Sequence, residues 1–306
     1  MGKYTWNRNK ETIIVVITAY NRPDLVKRCI ENISRQTRPV EGGIVLDNSI
    51  NKPARMEIEN LCSIYGFKYI CPNDNLGSAG GFSLGMERAY KDHATWIWLH
   101  DQDDYPDQRC LQELLGSNQG FIRSPVIIDP ETGKILTYFK RMKGRLGYFY
   151  PAPSHSNVID VAGTAGLLVH RDVASKIGFY DPTFFLGFED YDYCLRAKKM
   201  GFPVICSESA VVYHPCHKSQ RFRSIDGITP ILRNLPAFWG IFQAESPRDY
   251  YTIRNFIILS KRHQGKPIFF IQMMFSLLLL PVVRLVVPGS SIRQTLKIYA
   301  EALCVG

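Results

Sequence analysis

Residues 12–23 read TIIVVITAYNRP. From Thr12 to Thr18 the run is apolar or β-branched without a charged interruption, which fits a strand buried on both faces better than one with a wet side. Tyr20-Asn21-Arg22-Pro23 breaks the run, and Pro23 suits the first turn of a helix, where its missing N–H is not needed. Leu25, Cys29, Ile30 and Ile33 then recur at helical spacing. The alternation continues. Gly43–Leu46 reads as a second strand, Ile58, Leu61, Ile64 and Tyr65 mark a second helix, and Phe67–Cys71 is a third strand. A Gly-rich stretch from Asn75 to Gly85 leads into a helix ending near Tyr90, and Trp96–Leu99 is a fourth strand. Strands alternating with helices predict parallel crossovers: an α/β fold, with a mostly parallel sheet and helices on both faces.

The pattern loosens after about residue 130. Residues 140–157, rich in Lys/Arg, Gly, Pro and Tyr, read as a loop. Gly166–Val169 is a strand and Val173–Ile177 a short helix. Glu189–Met200 is a helix stopped by Gly201, a residue suited to the left-handed position after a helix. Val204–Cys206 and Ala210–Tyr213 are short strands. Tyr250–Arg262 reads as an amphipathic helix with Ile253, Phe256, Ile257 and Ser260 near one face. The stretch 268–287, IFFIQMMFSLLLLPVVRLVV, is nearly all apolar but carries Gln272, Pro281 and Arg284. A spanning helix needs about 20 apolar residues. The interrupted run is therefore expected to lie in a membrane interface or to pack on the body.

With 45% apolar and 21% charged residues, the composition excludes a disordered, collagen-like or coiled-coil chain. The net charge of +9 is uneven: residues 215–306 hold 12 Lys/Arg against 4 Asp/Glu, whereas 1–214 hold 25 against 24. A near-neutral body with a basic C-terminal third points to phosphate-rich partners, either nucleic acid or an anionic membrane surface. The opening MGKYTWNRNK has no apolar run, so no secretory signal is expected, and Trp6 stands where myristoylation wants Ser or Thr. Eight cysteines without a CxxC pair read as reduced thiols in a cytosolic protein. Cys206, His214, Cys216 and His217 fit no usual zinc spacing.

Four places carry chemistry. Asp101-Gln102-Asp103 directly follows the buried strand WIWLH. Ligands of open α/β sheets bind beyond the carboxyl ends of strands, and alternate carboxylates on such a tip reach one hard cation. An acidic surface turn closed by Pro106 is the plainer alternative. Glu189-Asp190 opens a helix, with Asp192 beyond. Acidic residues favour helix N-termini for their dipole alone, yet Gly187 allows a tight turn that aims one carboxylate into a cleft as a general base. His214 follows a short strand in VVYHP; by itself it reads as a packed or surface histidine. Asn75-Leu76-Gly77-Ser78-Ala79-Gly80-Gly81-Phe82 would let backbone N–H groups approach a bound group, although it is neither GxGxxG nor a P-loop and a plain loop explains it nearly as well.

Taken in order, these pieces resemble the inverting GT-A glycosyltransferases of family 2, in particular the galactofuranosyltransferase and rhamnosyltransferase branch of bacterial polysaccharide assembly. The resemblance runs from about Ile13 to His214. It implies a GT-A, Rossmann-like catalytic domain over 1–215, with a nucleotide-sugar-binding half at about 1–104 and an acceptor half at about 105–215. Residues 216–306 would form a helical, membrane-associated C-terminal extension. The resemblance assigns Thr18, Tyr20, Arg22, Asp47, Asn48, Asn75 and Gly80 to the donor nucleotide. It assigns Asp101, Asp103 and His214 to Mn2+ or Mg2+, Asp190 to the catalytic base, and Glu189 and Thr164 to the acceptor. Ser78 stands where another Gly is common in that branch. The Trp-rich acceptor segment of some members is replaced here by Val161-Ala162-Gly163-Thr164-Ala165-Gly166.

The implied donor is UDP-galactofuranose, with dTDP-rhamnose next. The implied acceptor is a lipid-linked glycan, as in O-antigen assembly, at the inner face of the plasma membrane, with no nucleic acid involved. Two other readings remain: a haloacid-dehalogenase-like phosphatase, which also places Asp-x-Asp after a strand, and a non-catalytic basic protein that binds membrane or nucleic acid.

Overall fold

The computed structural model describes residues 11–116, 120–136, 140–143, 148–151, 157–215, 247–263, 274 and 292–305. Strands β1 (Ile13–Ala19), β2 (Gly42–Asp47), β3 (Lys68–Ile70) and β4 (Trp96–Asp101) alternate with helices α1 (Pro23–Ser34), α2 (Lys52–Tyr65) and α3 (Gly77–Lys91). They pair in parallel in the order β3-β2-β1-β4. This is the alternation expected from the sequence. Beyond β4 come β5 (Tyr105–Pro106), α4 (Cys110–Gly116), β6 (Ile122–Ile128), β7 (Lys140–Lys143), β8 (Tyr148–Pro151), β9 (Val158–Ile159), β10 (Leu167–His170), α5 (Arg171–Ile177), α6 (Glu189–Lys199) and β11 (Val204–Tyr213). The sheet runs on as β10-β6-β11-β5, with β10 antiparallel to β4 and β6 but β6 and β11 parallel.

Alternate residues of the central strands feed two cores. Ile14 and Val16 of β1, with Ile97 and Leu99 of β4, meet α3 and α6 on one face. Ile13, Val15, Ile17, Trp96 and Trp98 meet α1, α2 and α4 on the other. Both faces are covered, which is why β1 reads as an unbroken apolar run rather than an alternating one. The helix ends carry their own signals. The Asn51 side chain accepts the Ala54 N–H at 3.2 Å at the start of α2, and Gly66, with φ of 72°, closes it.

The sequence reading needs four changes. The Gly-rich stretch is not a lead into α3 but its first turns. Residues 140–157 are not all loop, since β7 and β8 pair as an antiparallel hairpin. The two expected short strands at 204–213 are one strand, β11, whose register against β6 shifts between Ser207 and Val211. The strand β6 had no counterpart in the sequence reading, and Pro125 lies within it, a residue that interior strands seldom hold. The structure accommodates Pro125 because β10 pairs only with Ile122 and Arg123, so Pro125 lies beyond the stretch bonded on that side.

Two further helices, α7 (Pro247–His263) and α8 (Ile292–Cys304), correspond to the C-terminal extension. They share the core on the α3 and α6 face through Ile257, Ile258, Leu259, Ile298, Tyr299 and Ala302. The apolar stretch 268–287, apart from Met274, and the cationic residues Arg221, Arg223 and Lys266 lie outside the described residues. Among the described residues no helix is long and apolar enough to cross a membrane. Among the described residues five thiols are buried, Cys29, Cys62, Cys110, Cys194 and Cys206, and Cys304 is exposed.

Candidate active site

The carboxyl ends of β1, β2 and β4 and the N-termini of α3 and α6 meet at one edge of the sheet. Thr18 and Asp101 are register partners on β1 and β4, and the Thr18 hydroxyl donates to Asp101 Oδ1 at 3.2 Å. Gln102 straps the same two tips: Tyr20 N–H donates to its Oε1 at 2.8 Å. Tyr20 itself is exposed. Arg22 is also exposed, at the start of α1, and its guanidinium forks onto Asp24 at 3.0 and 2.8 Å.

The next strand tip is wired more tightly. Asp47 is fully buried, accepting from the Tyr69 hydroxyl at 2.8 Å and from Ser49 N–H at 2.9 Å. Asn48 donates to Gly77 O at 2.9 Å and accepts Leu76 N–H at 3.1 Å, so it fastens the β2 tip to the start of α3. Asn75 is exposed and accepts Gly77 N–H at 2.8 Å. The glycines of α3 are there for proximity: a Cβ on Gly81 would lie 2.8 Å from Asn48 Nδ2 and 3.2 Å from Thr18 Cγ2. Gly80 is buried beside Leu76. Of the seven expected donor residues, the structure thus draws Thr18, Asn48, Asn75 and Gly80 into one connected edge, leaves Tyr20 and Arg22 exposed beside it, and keeps Asp47 beneath it.

In the acidic turn after β4, the carboxylate and imidazole atoms that lie within 4.8 Å of one another belong to Asp103, Asp104 and His214. Asp101, the other carboxylate expected there, adjoins them through the turn. Asp104 N–H closes onto Asp101 O at 3.1 Å, and Asp104 Oδ2 accepts Asp101 N–H at 2.8 Å, which folds the Asp104 side chain inward. There Asp104 Oδ1 pairs with His214 Nδ1 at 2.9 Å, and Asp104 Oδ2 lies 3.4 Å from His100 Nδ1. His214 Nδ1 is 3.9 Å from Asp103 Oδ1. Sequence reasoning missed Asp104 because it falls outside the Asp-x-Asp spacing; its signal was adjacency to that pair.

The electrostatics follow from this crowding. Burial and the Asp104 and Asp103 charges push the Asp101 carboxyl up to about 8. Burial opposes ionisation of Asp104 too, but the two histidines outweigh it and hold its carboxyl below the ordinary range. Burial likewise opposes charging of His214, and the surrounding carboxylates, Asp104 first, overcome it and raise the imidazole to about 9. So much negative charge at the end of a buried strand, with an imidazole among the carboxylates, is a donor set that suits Mn2+ or Mg2+.

Glu189 and Asp190 open α6 across the cleft. The chain enters through Phe188, in the left-handed region at φ of 68°, and Gly187, at φ of 86°. Glu189 is buried and accepts a short hydrogen bond from the Ser78 hydroxyl. The residue that departs from the resembled pattern thus contacts the acidic pair. Asp190 is partly exposed, and its Oδ1 accepts Tyr191 N–H at 2.8 Å. Desolvation and then the Glu189 charge raise the Asp190 carboxyl well above its ordinary range. Thr164 is buried, its hydroxyl 3.2 Å from that of Tyr180.

Residues 14–119 match the family model described as glycosyl transferase family 2. The galactofuranosyltransferase GlfT1 of Mycobacterium tuberculosis (strain ATCC 25618 / H37Rv) is 26% identical over 260 residues, spanning 80% of this chain and 81% of that protein. The dTDP-rhamnosyl transferase RfbF of Shigella flexneri is 26% identical over 278 residues, 87% of this chain and 86% of that one. Among solved structures, the mannosyltransferase PcManGT from Pyrobaculum calidifontis, in complex with GDP-Man and Mn2+, superposes with a TM-score of 0.57 at 14% identity, over 99% of this chain and 80% of that one. GalNAc-T7 with UDP, GalNAc and Mn2+ gives 0.56 at 13% identity, over 88% of this chain and 58% of that longer one. The expected GT-A-like fold is therefore observed.

Proposed function

We propose that this chain, a glycosyltransferase whose residues 14–119 match the model described as glycosyl transferase family 2, moves galactofuranose, or failing that rhamnose, from a nucleoside-diphosphate donor to a glycan hydroxyl with inversion. The observation that carries the reading is the cluster of Asp103, Asp104 and His214 at the end of β4, with Asp190 at the N-terminus of α6 near enough for the Asp101 charge to help raise its carboxyl. A carboxyl with raised proton affinity is a stronger base once ionised, as deprotonation of a sugar hydroxyl requires.

In this reading the base and ribose lie over the tips of β1 and β2, near Thr18, Tyr20, Arg22 and Asn48. The backbone around Asn75 and Gly80 lines the sugar. Asp103 and His214, with Asp101 and Asp104 beside them, would hold a divalent cation, Mn2+ or Mg2+. Such a cation, when bound, offsets the charge that builds on the departing diphosphate. Asp190 takes the proton from the acceptor hydroxyl while that oxygen attacks the anomeric carbon and the bond to the diphosphate breaks. One displacement from the opposite face inverts the configuration, and the proton leaves on Asp190. Ser78 fixes Glu189 against the acceptor side, and Thr164 shapes the wall beyond it.

The acceptor is a lipid-linked glycan, and the basic C-terminal third meets the anionic inner surface of the plasma membrane. Two measurements test the reading. The melting temperature should rise with UDP and Mn2+ for a galactofuranosyl donor, or with dTDP and Mn2+ for a rhamnosyl donor, because ligands stabilise the state they bind. Asp190→Asn should fold normally and lose transfer; near-normal turnover in that variant removes Asp190 from the role of base.

A further inference from the structure

Asn255 of α7 is completely buried, and its amide faces the backbone of the loop before Glu189. Its Nδ2 lies 2.7 Å from Phe184 O, 3.0 Å from Leu186 O and 2.8 Å from Gly187 O. The carbonyl skipped in that series, Phe185 O, points the other way and accepts Ala79 N–H at 3.0 Å, in the first turn of α3. Three residues of this short loop have positive φ: Phe185 at 59°, Gly187 at 86° and Phe188 at 68°. For a Phe a positive φ is strained, and such a conformation persists only where surrounding contacts impose it. Asn255 supplies those contacts.

The amide is held in turn. Arg254 Nη1 donates to Asn255 Oδ1 at 2.8 Å and to Thr183 O at 2.9 Å, which fixes which end of the amide faces the loop. Further along the same helix, Arg262 pairs with Asp181 at 2.6 Å and His263 with Asp192 at 2.9 Å. One helix therefore grips the segment 181–192 on both sides of Glu189-Asp190. No part of this grip lies on the β1, β2 and β4 tips.

The geometry points to Asn255 as a positioning residue for the catalytic base: through the carbonyls of Phe184, Leu186 and Gly187 it sets the left-handed turn from which Asp190 is aimed at the acceptor. The inference rests on the reading of Asp190 as base. It gives a helix more than 50 positions downstream in sequence a part in the active site. The donor side has its own fastening, the Asn48 contacts to Leu76 and Gly77, and the loop carbonyl that touches α3, Phe185 O, is the one that Asn255 does not bond; losing the Asn255 contacts should therefore disturb Asp190 before the nucleotide contacts.

The test is the full chain with Asn255→Ala and, separately, Asp190→Asn. It measures steady-state transfer from UDP-galactofuranose (dTDP-rhamnose if the melting test selects it) and titrates UDP in the presence of Mn2+. Misplacing a reacting group by about 1 Å costs about 100-fold in rate. The expected result for Asn255→Ala is a fall of that order in kcat, with KM for the donor and the affinity for UDP unchanged. A parallel loss of UDP affinity, as general loosening would give, overturns the inference, and so does an unchanged kcat. If Asn255→Ala does not fold, Arg254→Ala decides: it removes the strut on the Asn255 carbonyl from a half-exposed position and should lower kcat in the same pattern, by less. Unchanged kcat in Asn255→Ala, with Asp190→Asn inactive, defeats only the Asn255 assignment. Retained turnover in Asp190→Asn defeats the base assignment and this inference together.

Discussion

His170 Nδ1 accepts Asp172 N–H at 3.2 Å and so caps α5, while its ring meets Trp96 and Phe121 edge-on at centroid distances of 4.8 and 5.2 Å. Capping through Nδ1 requires a neutral ring, and burial lowers the imidazole to about 4. A folded value below the unfolded one means the folded state binds fewer protons. The stability this contributes is complete above about pH 6.5 and is lost as pH falls through the window down to about 4. His170→Asn keeps a capping side chain without the titration. Its stability relative to the parent should therefore improve by on the order of 2–3 kcal/mol between pH 7 and pH 4 in denaturant titrations; a constant difference contradicts the assignment.

Asp190 works with the opposite sign for activity. Its raised carboxyl must be ionised to accept a proton, so kcat/KM should climb with pH along a limb above the ordinary carboxylate range. Removing the neighbouring charge in Glu189→Gln should move that limb to lower pH. Asp104 makes a third case. Its grip on His214 Nδ1 sets which imidazole nitrogen faces outward, and Asp104→Ala should weaken Mn2+ binding by about 10- to 100-fold in calorimetric titration.

Among the elements, β1, β2, β4 and the helices between them were legible because their periods are clean and both faces are buried. The acidic pair at 189–190 was legible from its place at a helix start, and Asp103 from its place after a strand. The place of Asp104 beside His214 was hidden because a turn only four residues long brings it there, and the burial of Asn255 because nothing in a sequence marks which polar residue of an amphipathic helix points inward. Helix α3 sits between these cases: its glycines looked like loop, yet they let the helix lie against the sheet. A Cβ at Gly85 would come within 2.3 Å of Val16 Cγ1, so Gly85→Ala should cost about 1–3 kcal/mol despite the better helix propensity of Ala. Urea denaturation of the variant reads this directly, and a gain in stability would show that α3 can shift outward.

At the scale of the whole molecule, the C-terminal helices are bound into the core through Ile257, Ile258, Leu259 and Ile298, and α7 grips the loop before Glu189 and Asp190. The apolar run of this third was expected to lie in a membrane interface or to pack on the body, and it falls outside the described residues, whereas the described helices on either side of it carry a share of the fold. Truncation after residue 215 should therefore expose the α3 and α6 face, lower the melting temperature and promote aggregation, rather than release a well-behaved catalytic body. A soluble, cooperatively melting fragment 1–215 would show that the core closes without them.

The buried thiols give this architecture a built-in clock. Cys194 and Cys206 sit in one apolar cluster, and Cys29, Cys62 and Cys110 in the other, across the sheet. A membrane-impermeant alkylating reagent, sampled over time and read by mass, would therefore report whether the two layers breathe together or whether one side of the enzyme opens before its opposite.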